Sequence, residues 1–324
     1  MPTFCRHGRF LQNCRICSPA AAKPAAASSP RSSGSSSSTA RRSSSGSGRG
    51  SSAVVVRKQA RAVEDGYEND LVPGLKASGD AKRLAAEMAF ATARLAELAA
   101  DPPGLYAEVA LADDREEAFW LAFLVAHLSP LAGSDGPFAP IEAARTTWAS
   151  GEPPRLEEGT VLGPRTTVDP RNPTRTSEAY RAWAARAGSQ DAAFTGEAAW
   201  TPQRRFSRLF ERLALPGFAR AGRFELLASL GRLGLAEIEP GELRFGDGAS
   251  DPTTVAAKRV FGIGDAFMLE QRAAALAAEA GVPLAALDLA LLNFGQAEPA
   301  RATMGARAEA DETLASGIEA TLGV

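Results

Sequence analysis

The chain has 324 residues, of which 45% are hydrophobic and 23% charged, so most of it can build a globular core. The first residues (MPTFCRHGRF) hold no apolar signal segment and no run of 18 apolar residues occurs, which argues against a secretory signal and a membrane span and predicts a cytoplasmic protein. The net charge of −2 hides an asymmetry, because residues 1–61 carry 11 Lys or Arg and no acid, whereas the remainder carries 25 basic and 38 acidic residues.

Residues 1–18 contain all three cysteines of the chain and one of its two histidines. Cys5, His7, Cys14 and Cys17 form the pattern C-x-H-x6-C-x2-C, and thiolates with imidazole at this spacing suit tetrahedral zinc. So short a segment cannot fold alone, so metal binding would supply its folding free energy. With four protein ligands no coordination position is left for water, and the pattern predicts a structural zinc knuckle. The alternative is a tail with reducible thiols.

Residues 19–62 are predicted to be a disordered, basic linker. Between Ser28 and Ser52 there are 14 serines in 25 positions, and such a segment has almost nothing to bury. The linker is either a simple spacer or a mobile arm whose arginines attract phosphate groups. Both roles remain open at this point.

Residues 63–324 are predicted to be mostly α-helical, in two lobes of roughly 63–200 and 201–324. The apolar spacing and the helix start and stop signals predict helices, and long runs of β-branched residues are missing. A proline-rich connection is predicted at Gly151–Pro173, and AEIEPGELRFGD (236–247) is interpreted as a short hairpin-like piece. The predicted helices are Asp80–Ala100, Asp114–Leu128, Ser177–Ala187, Pro202–Leu215, Phe218–Leu233, Pro252–Val260, Asp265–Ala280 and Leu284–Asn293.

The region 201–232 is strongly basic within an acidic globular part, with seven arginines and only Glu211 and Glu225 as acids. Arg204, Arg208 and Arg212 recur every four residues and are predicted to form one stripe along a helix. The stripe is interpreted either as a contact for the DNA backbone or leaving phosphates, or as a solvated face with salt bridges.

Two predicted helices are joined by Gly262-Ile263-Gly264. Asp251 and Asp265 are expected to cap the first and second helix, and the backbone N–H groups at the second helix start suit one phosphate of a DNA strand. Lys258 and Arg259 lie beside this turn in the sequence and complete a predicted DNA contact. A plain helix–helix turn is the alternative.

Asp288 is the candidate catalytic residue. In a helix its neighbours at i−4, i−3, i+3 and i+4 are Leu284, Ala285, Leu291 and Leu292, all apolar. A carboxylate in such surroundings is desolvated unless it has a partner, and this is a feature of active sites. A capping or hydrogen-bonded structural aspartate is the alternative.

The turn and the aspartate together resemble the helix-hairpin-helix DNA glycosylase superfamily, in which a turn such as Val260-Phe261-Gly262-Ile263-Gly264 precedes an apolar run such as Leu287-Asp288-Leu289. The resemblance implies a glycosylase-like helical domain over roughly 200–296 and, more loosely, 80–200. Three features depart from the superfamily. Ala266 stands about where lyase-type members carry lysine, no four-cysteine cluster follows the domain, and the step of 24 residues from Gly264 to Asp288 is long.

With the amino-terminal cysteine motif and the runs 215–235 and 256–277, the chain resembles one group in particular, the alpha-glutamyl/putrescinyl thymine pyrophosphorylases, third clade. The resemblance implies action on a pyrophosphorylated 5-hydroxymethyl-uracil in phage or host DNA, with an amine or amino acid displacing pyrophosphate. It also implies that the fold holds a flipped base and that Asp288 acts as a base on the amine or stabilises charge.

Two other functions are left open, a non-enzymatic DNA-binding module and a glycosylase-like base-excision enzyme. ATP use, zincin chemistry and serine hydrolysis are disfavoured, since the corresponding motifs are missing. His127 is predicted to be a core histidine and the four tryptophans core residues, whereas a base-pocket role for Glu270 and Gln271 stays open.

Overall fold

The computed structural model describes residues 61–133, 135–246, 251–296, 301–306 and 311–324. These residues form helices and connecting segments without a β-strand, so the predicted mostly α class is confirmed. The helices are α1 (Ser78–Ala100), α2 (Leu105–Leu111), α3 (Arg115–Leu128), α4 (Ala139–Ala144), α5 (Arg175–Ala187), α6 (Gln190–Thr195), α7 (Pro202–Arg212), α8 (Arg220–Arg232), α9 (Pro252–Phe261), α10 (Ala266–Glu279), α11 (Leu284–Phe294) and α12 (Glu312–Leu322).

All eight predicted helices are present, with ends that differ by at most a few residues. Several begin at a side-chain cap, as expected for Asp and Thr at this position. The Asp251 carboxylate accepts from the Thr254 N–H at 2.9 Å, and that of Asp265 from the Met268 N–H, also at 2.9 Å. The hairpin-like interpretation of 236–247 is wrong for 236–246, the part the structure describes, because these residues form no β-ladder.

The described residues from Arg61 to Val324 belong to one compact unit, in which α1 packs against both α11 and α12. Helix α3 lies against α2, α6 and α8, and from Ala118 to Leu128 all its side chains are buried. The division into two lobes near residue 200 stays a prediction. The candidate site is built from a loop that is bound to the end of α3 and from the first residues of α8.

An aromatic cluster fills the space around α3. The Phe123 and Tyr180 rings stack at 3.9 Å between centroids, and Trp120 lies against Phe123 at 5.3 Å. Trp120, Trp183 and Trp200 are buried and Trp148 is partly buried, so the prediction that the tryptophans pack the core is confirmed. His127 is fully buried at the end of the same helix, as predicted.

Helices α9 and α10 are joined by a tight turn at residues 262–265. Gly262 ends α9 with φ of 65°, a left-handed conformation that glycine adopts without strain. A Cβ added at Gly262 would lie 3.2 Å from the Cα of Gly74, whose N–H donates to the Val260 carbonyl at 2.9 Å. The segment before α1 therefore covers one side of the turn.

Among the described residues, no single helix is long and apolar enough to cross a membrane. One pair, α10 with α11, meets the length and composition criteria only when taken together, and its two helices are bent by 109°.

Candidate functional site: a buried arginine–carboxylate cluster beneath a cavity

The Asp288 carboxylate lies in the protein interior between two guanidinium groups. Its Oδ2 is 2.9 Å from Nη2 of Arg165, and its Oδ1 is 2.6 Å from Nη2 of Arg220. Asp288 has no exposed surface, and both arginine side chains are at most 5% exposed. The sequence predicts a desolvated carboxylate unless a partner is present, and the structure supplies two partners.

Arg165 reaches this position because its loop is held on the end of α3. The Gly163 N–H donates to the Ser129 carbonyl at 3.0 Å, and the Thr167 N–H donates to the His127 carbonyl at 2.9 Å. A Cβ at position 163 would lie only 1.9 Å from the Pro130 carbonyl oxygen, so glycine is required for this close approach. The loop thereby places the Arg165 guanidinium under α8, where Nη2 donates to the Ala221 carbonyl at 3.3 Å.

Arg220 is the first residue of α8 and is anchored on both sides. Its Nε donates to the Arg244 carbonyl at 3.0 Å, and its Nη2 donates to the Leu243 carbonyl. Its Nε is also 3.7 Å from the Asp251 carboxylate, which caps α9. The Arg220 guanidinium therefore connects the starts of α8 and α9 with Asp288 on α11.

A second carboxylate, that of Glu225, completes the cluster. Its Oε2 is 3.0 Å from Nε of Arg165, and its Oε1 accepts from the Tyr106 hydroxyl at 3.2 Å. Burial raises the pKa of Glu225, although Arg165 and Tyr106 oppose the effect. Burial alone would lower the pKa of Arg165, but the carboxylates of Glu225 and Asp288 outweigh it and the pKa is raised. Arg165 is therefore permanently charged.

Above the cluster lies an open cavity of about 430 Å³, a size common for small-molecule sites. Arg165, Arg220 and Asp251 line it together with Thr166, Thr167 and Gly246. Asp288 does not line the cavity itself, but it contacts Arg165 and Arg220, which do. Its predicted catalytic role is untested by this geometry and stays a prediction.

The remaining DNA-contact candidates at the α9–α10 turn differ in exposure, with Gly262 and Gly264 exposed and the other three partly buried. Gly264 is exposed with no atom within 4 Å of a Cβ placed there, whereas Ile263 packs partly against the core. Lys258 is partly exposed, but the Arg259 guanidinium is 2.5 Å from Asp80 and stacks over the Phe294 ring at 4.9 Å. Gly262, Gly264 and Lys258 are thus the most available of the predicted contacts.

The arginines of the basic region 201–232 include exposed and interior side chains. Arg204, Arg208 and Arg212 are exposed on α7, as the predicted stripe requires. Arg208 is 3.3 Å from Glu211, and Arg212 lies over the Trp200 ring at 5.0 Å, so the stripe also has features of a solvated, salt-bridged face. Arg205, Arg220 and Arg223 instead donate to interior carbonyls and do not belong to a surface patch.

Glu270 does not line this cavity. Its two carboxylate oxygens accept from the Leu243 N–H at 2.7 Å and from the Phe245 N–H at 2.8 Å. Burial raises the pKa of this half-buried carboxyl group. Glu270 thus holds the segment that anchors Arg220, whereas Gln271 is exposed.

The predicted zinc ligands Cys5, His7, Cys14 and Cys17 lie outside the described residues, as does almost all of the predicted linker at 19–62. Within the part of the chain that is described, no group of three or more His, Cys, Asp or Glu side chains is placed to hold a metal ion.

Fold and site together define a helical protein in which two buried arginines, held by carboxylates, line an open cavity. Residues 166–297 match the family model of the alpha-glutamyl/putrescinyl thymine pyrophosphorylases, clade 3, so the predicted resemblance is confirmed. The match indicates a role of the pyrophosphorylase type in thymine hypermodification. It includes Arg220, the α9–α10 turn and Asp288, and begins one residue after Arg165. Comparisons with curated proteins and with solved structures give no match.

Proposed function

We propose that the protein modifies a thymine-derived base in DNA, displacing pyrophosphate from a pyrophosphorylated 5-hydroxymethyl-uracil with an amine or amino acid. The observation that carries the proposal is the cavity floored by Arg165 and Arg220, within and next to the segment that matches the family. Two guanidiniums, each fixed by a carboxylate at 2.9 Å or less, are preorganised donors for a highly anionic leaving group.

The reaction breaks the bond between the methylene carbon and the diphosphate oxygen, which leaves with the electron pair. A bond forms between the same carbon and the amine nitrogen, which then loses a proton. Stabilising the departing charge is the contribution that Arg165 and Arg220 can make from the cavity wall. Because Asp288 contacts these arginines and has no exposed surface, we assign it a positioning role, in place of direct action on the amine.

A flipped base must enter the cavity from DNA, so the protein requires a surface for the phosphate backbone. We assign this contact to the turn residues Gly262, Ile263 and Gly264 with Lys258 and Arg259, and to the α7 stripe of Arg204, Arg208 and Arg212. In this proposal the turn is that of a helix-hairpin-helix module in a glycosylase-like domain. The basic linker would add nonspecific attraction to DNA.

DNA binding should be strongly salt-dependent, and replacing Arg204, Arg208 and Arg212 together by glutamine should weaken it. Removing the contact to one duplex phosphate lowers the slope of log affinity against log salt by about 0.9. Arg171, Arg175 and Arg186 are also exposed, and their triple glutamine variant is a control with the same change of charge. The measurement is fluorescence anisotropy over a salt series. Equal slopes for both triple variants would contradict the assignment.

The turn itself is best tested at Gly264, because a substitution at Gly262 would strain the left-handed backbone and press on Gly74. Gly264→Val should obstruct a phosphate, and no atom of the fold lies within 4 Å of the Cβ that it adds. The DNA affinity of this variant is measured in the same fluorescence anisotropy series. Unchanged affinity would mean that residues 262–264 form only a turn between helices.

One structural zinc ion per full-length chain is expected, bound by Cys5, His7, Cys14 and Cys17. Because these ligands precede the predicted linker, deletion of residues 1–56 should remove the zinc and leave the helical domain folded. Metal analysis and thermal unfolding of both proteins check this prediction. Zinc that persists in the shortened chain would contradict the assigned ligands.

The two alternatives predict different products. Mass spectrometry of nucleosides from cells with and without the protein should show an amine-bearing thymine derivative that depends on it. A base-excision enzyme would produce abasic sites instead, and a DNA-binding module would leave nucleosides unchanged. Either of these results would contradict the proposed reaction.

A further inference from the structure

The second residue of α10, Phe267, is an exposed aromatic side chain. It is 68% exposed, whereas every other phenylalanine that the structure describes is buried. The Phe267 ring has no aromatic or cationic partner among the described residues, and it does not pack against their core. A single exposed apolar side chain is common on protein surfaces, so its position determines what it can contact.

Phe267 lies beside the turn that is assigned to the DNA backbone. A helical side chain leans toward the amino-terminal end of its helix, so the Phe267 ring lies toward the exposed Gly264 and away from the middle of α10. Lys258 on α9 and Lys76, in the segment that covers one side of the turn, form no ion pair with described residues. The exposed carboxylate of Asp265 is the opposing charge.

The rest of the exposed face of α10 does not suit a protein partner. Gln271, one turn after Phe267, is polar, and the next exposed residues of this face are Ala274, Ala275 and Ala278. A stable protein interface needs roughly 800 Å² on each partner and a core of large apolar side chains. One ring near two lysines suits a nucleic acid instead, because aromatic side chains stack on bases and cations bind the neighbouring phosphates.

The Phe267 ring is distant from the cavity that would take the reacting base. Pro252 lines that cavity and begins α9, and the turn follows the end of this helix. The 10 residues of α9 place the turn about 15 Å from the cavity, which is the length of about four stacked nucleotides. A base on Phe267 is therefore not the base in the cavity, and both bases must be unpaired.

We propose that Phe267 stacks on an unpaired base and thereby favours the binding of single-stranded DNA over duplex DNA. Flipping in a duplex exposes one base and leaves a base several nucleotides away paired and stacked. In a single strand both bases are available without the cost of opening further base pairs. The inference rests on the part of the proposed function that assigns DNA to the turn, and it is independent of the reaction.

The test compares the binding of the full-length chain to a single-stranded oligonucleotide of mixed sequence and to the duplex with its complement, by fluorescence anisotropy. Phe267→Ala should lower the affinity for the single strand about fivefold or more, the usual effect of losing one stacked base, and change that for the duplex by less than about twofold. Leu111→Ala is the matched control, because Leu111 is 82% exposed on α2. It should change neither affinity.

A second measurement detects the stacking directly. Phe267→Trp places a fluorescent ring at the same position and should bind single-stranded DNA as the parent does. Because stacking on a base quenches tryptophan, single-stranded DNA should remove about half or more of the fluorescence that this variant adds to that of the parent. Leu111→Trp should keep its added fluorescence.

Several results would overturn the inference. One is a Phe267→Ala variant that binds both forms of DNA like the parent or loses affinity for both equally, and another is equal quenching of the two added tryptophans. A dimer that Phe267→Ala dissociates would assign the ring to a contact between copies of the chain. If stacking is found but no base is modified, the inference stands and the proposed reaction fails. If bases are modified without stacking, the reaction stands and the inference fails.

Discussion

Asp288→Asn is expected to lower the free energy of unfolding by about 3–5 kcal/mol, the usual cost of removing one partner from a buried ion pair. Asparagine preserves the shape but removes the charge that both Arg165 and Arg220 contact within 3 Å. The two guanidiniums would remain desolvated, with only Glu225 close to Arg165 and Asp251 at 3.7 Å from Arg220. Chemical denaturation of parent and variant measures the difference.

Asp265→Asn is the control for this change. Asp265 is an exposed cap of α10, and asparagine caps a helix about as well as aspartate, so this variant should differ by less than about 0.5 kcal/mol. If Asp288→Asn lowered the free energy of unfolding as little as Asp265→Asn, the ion pairs of the buried cluster would not stabilise the fold. Base modification should also be abolished in Asp288→Asn. Full activity would exclude both the positioning role and the direct catalytic role predicted from the sequence.

The stability of the domain should fall steeply in mild acid because of His127. Burial lowers the pKa of His127 to about 4 from an ordinary value of 6.5. Its Nδ1 contacts the Thr167 hydroxyl at 2.6 Å, and its Nε2 is buried without a partner among the described residues. At a pH between these two values, the His127 ring therefore stays neutral in the folded chain and is protonated in the unfolded chain.

Because of this difference in proton uptake, the free energy of unfolding decreases as the pH falls. Above pH 6.5 the histidine is neutral in both states and has no effect, whereas between pH 6.5 and 4 only the unfolded state gains the proton. The contribution of His127 to the free energy of unfolding should thus fall by about 1.4 kcal/mol per pH unit, or about 3 kcal/mol in total.

His127→Phe isolates this effect, because it retains a ring next to Phe123 and removes the titrating group. Unfolding of parent and variant is compared from pH 7.5 to 4.5. His7 is common to both proteins, and so are the carboxyl groups of Glu87, Glu225 and Glu270, whose pKa values are raised mainly by burial; their effects cancel in the difference. Parallel pH profiles would show that His127 does not titrate differently on folding.

The long helices could be predicted because each has an apolar face and a local start or stop signal. Helices α2, α4 and α6 have six or seven residues, too few for a periodic pattern, and depend on neighbouring helices. The terminal helix α12 is not among the predicted helices either, although Leu314, Ile318 and Leu322 follow one another at intervals of four. They pack against α1, which lies near the other end of the described chain, and the local pattern does not reveal this partner.

The candidate site could be predicted only in part. The apolar neighbours of Asp288 indicate its burial, but Arg165, its partner, lies 123 residues earlier in a proline-rich connection without a pattern of its own. In the sequence, Arg220 is one of seven arginines in the basic region 201–232. Its burial could not be predicted, because spacing cannot show that α8 is surrounded by other helices. Pairings between distant elements depend on packing, and neither local propensity nor periodicity encodes them.

The most direct test of the central claim uses purified full-length protein, DNA that carries a pyrophosphorylated 5-hydroxymethyl-uracil, and a supplied amine. Released pyrophosphate and nucleosides are quantified in the same reaction. The proposed function predicts one pyrophosphate released for each amine-bearing nucleoside formed, and neither product with the Asp288→Asn variant under conditions where that variant remains folded. Release of the free base, or DNA that remains unchanged with the parent protein, would contradict it.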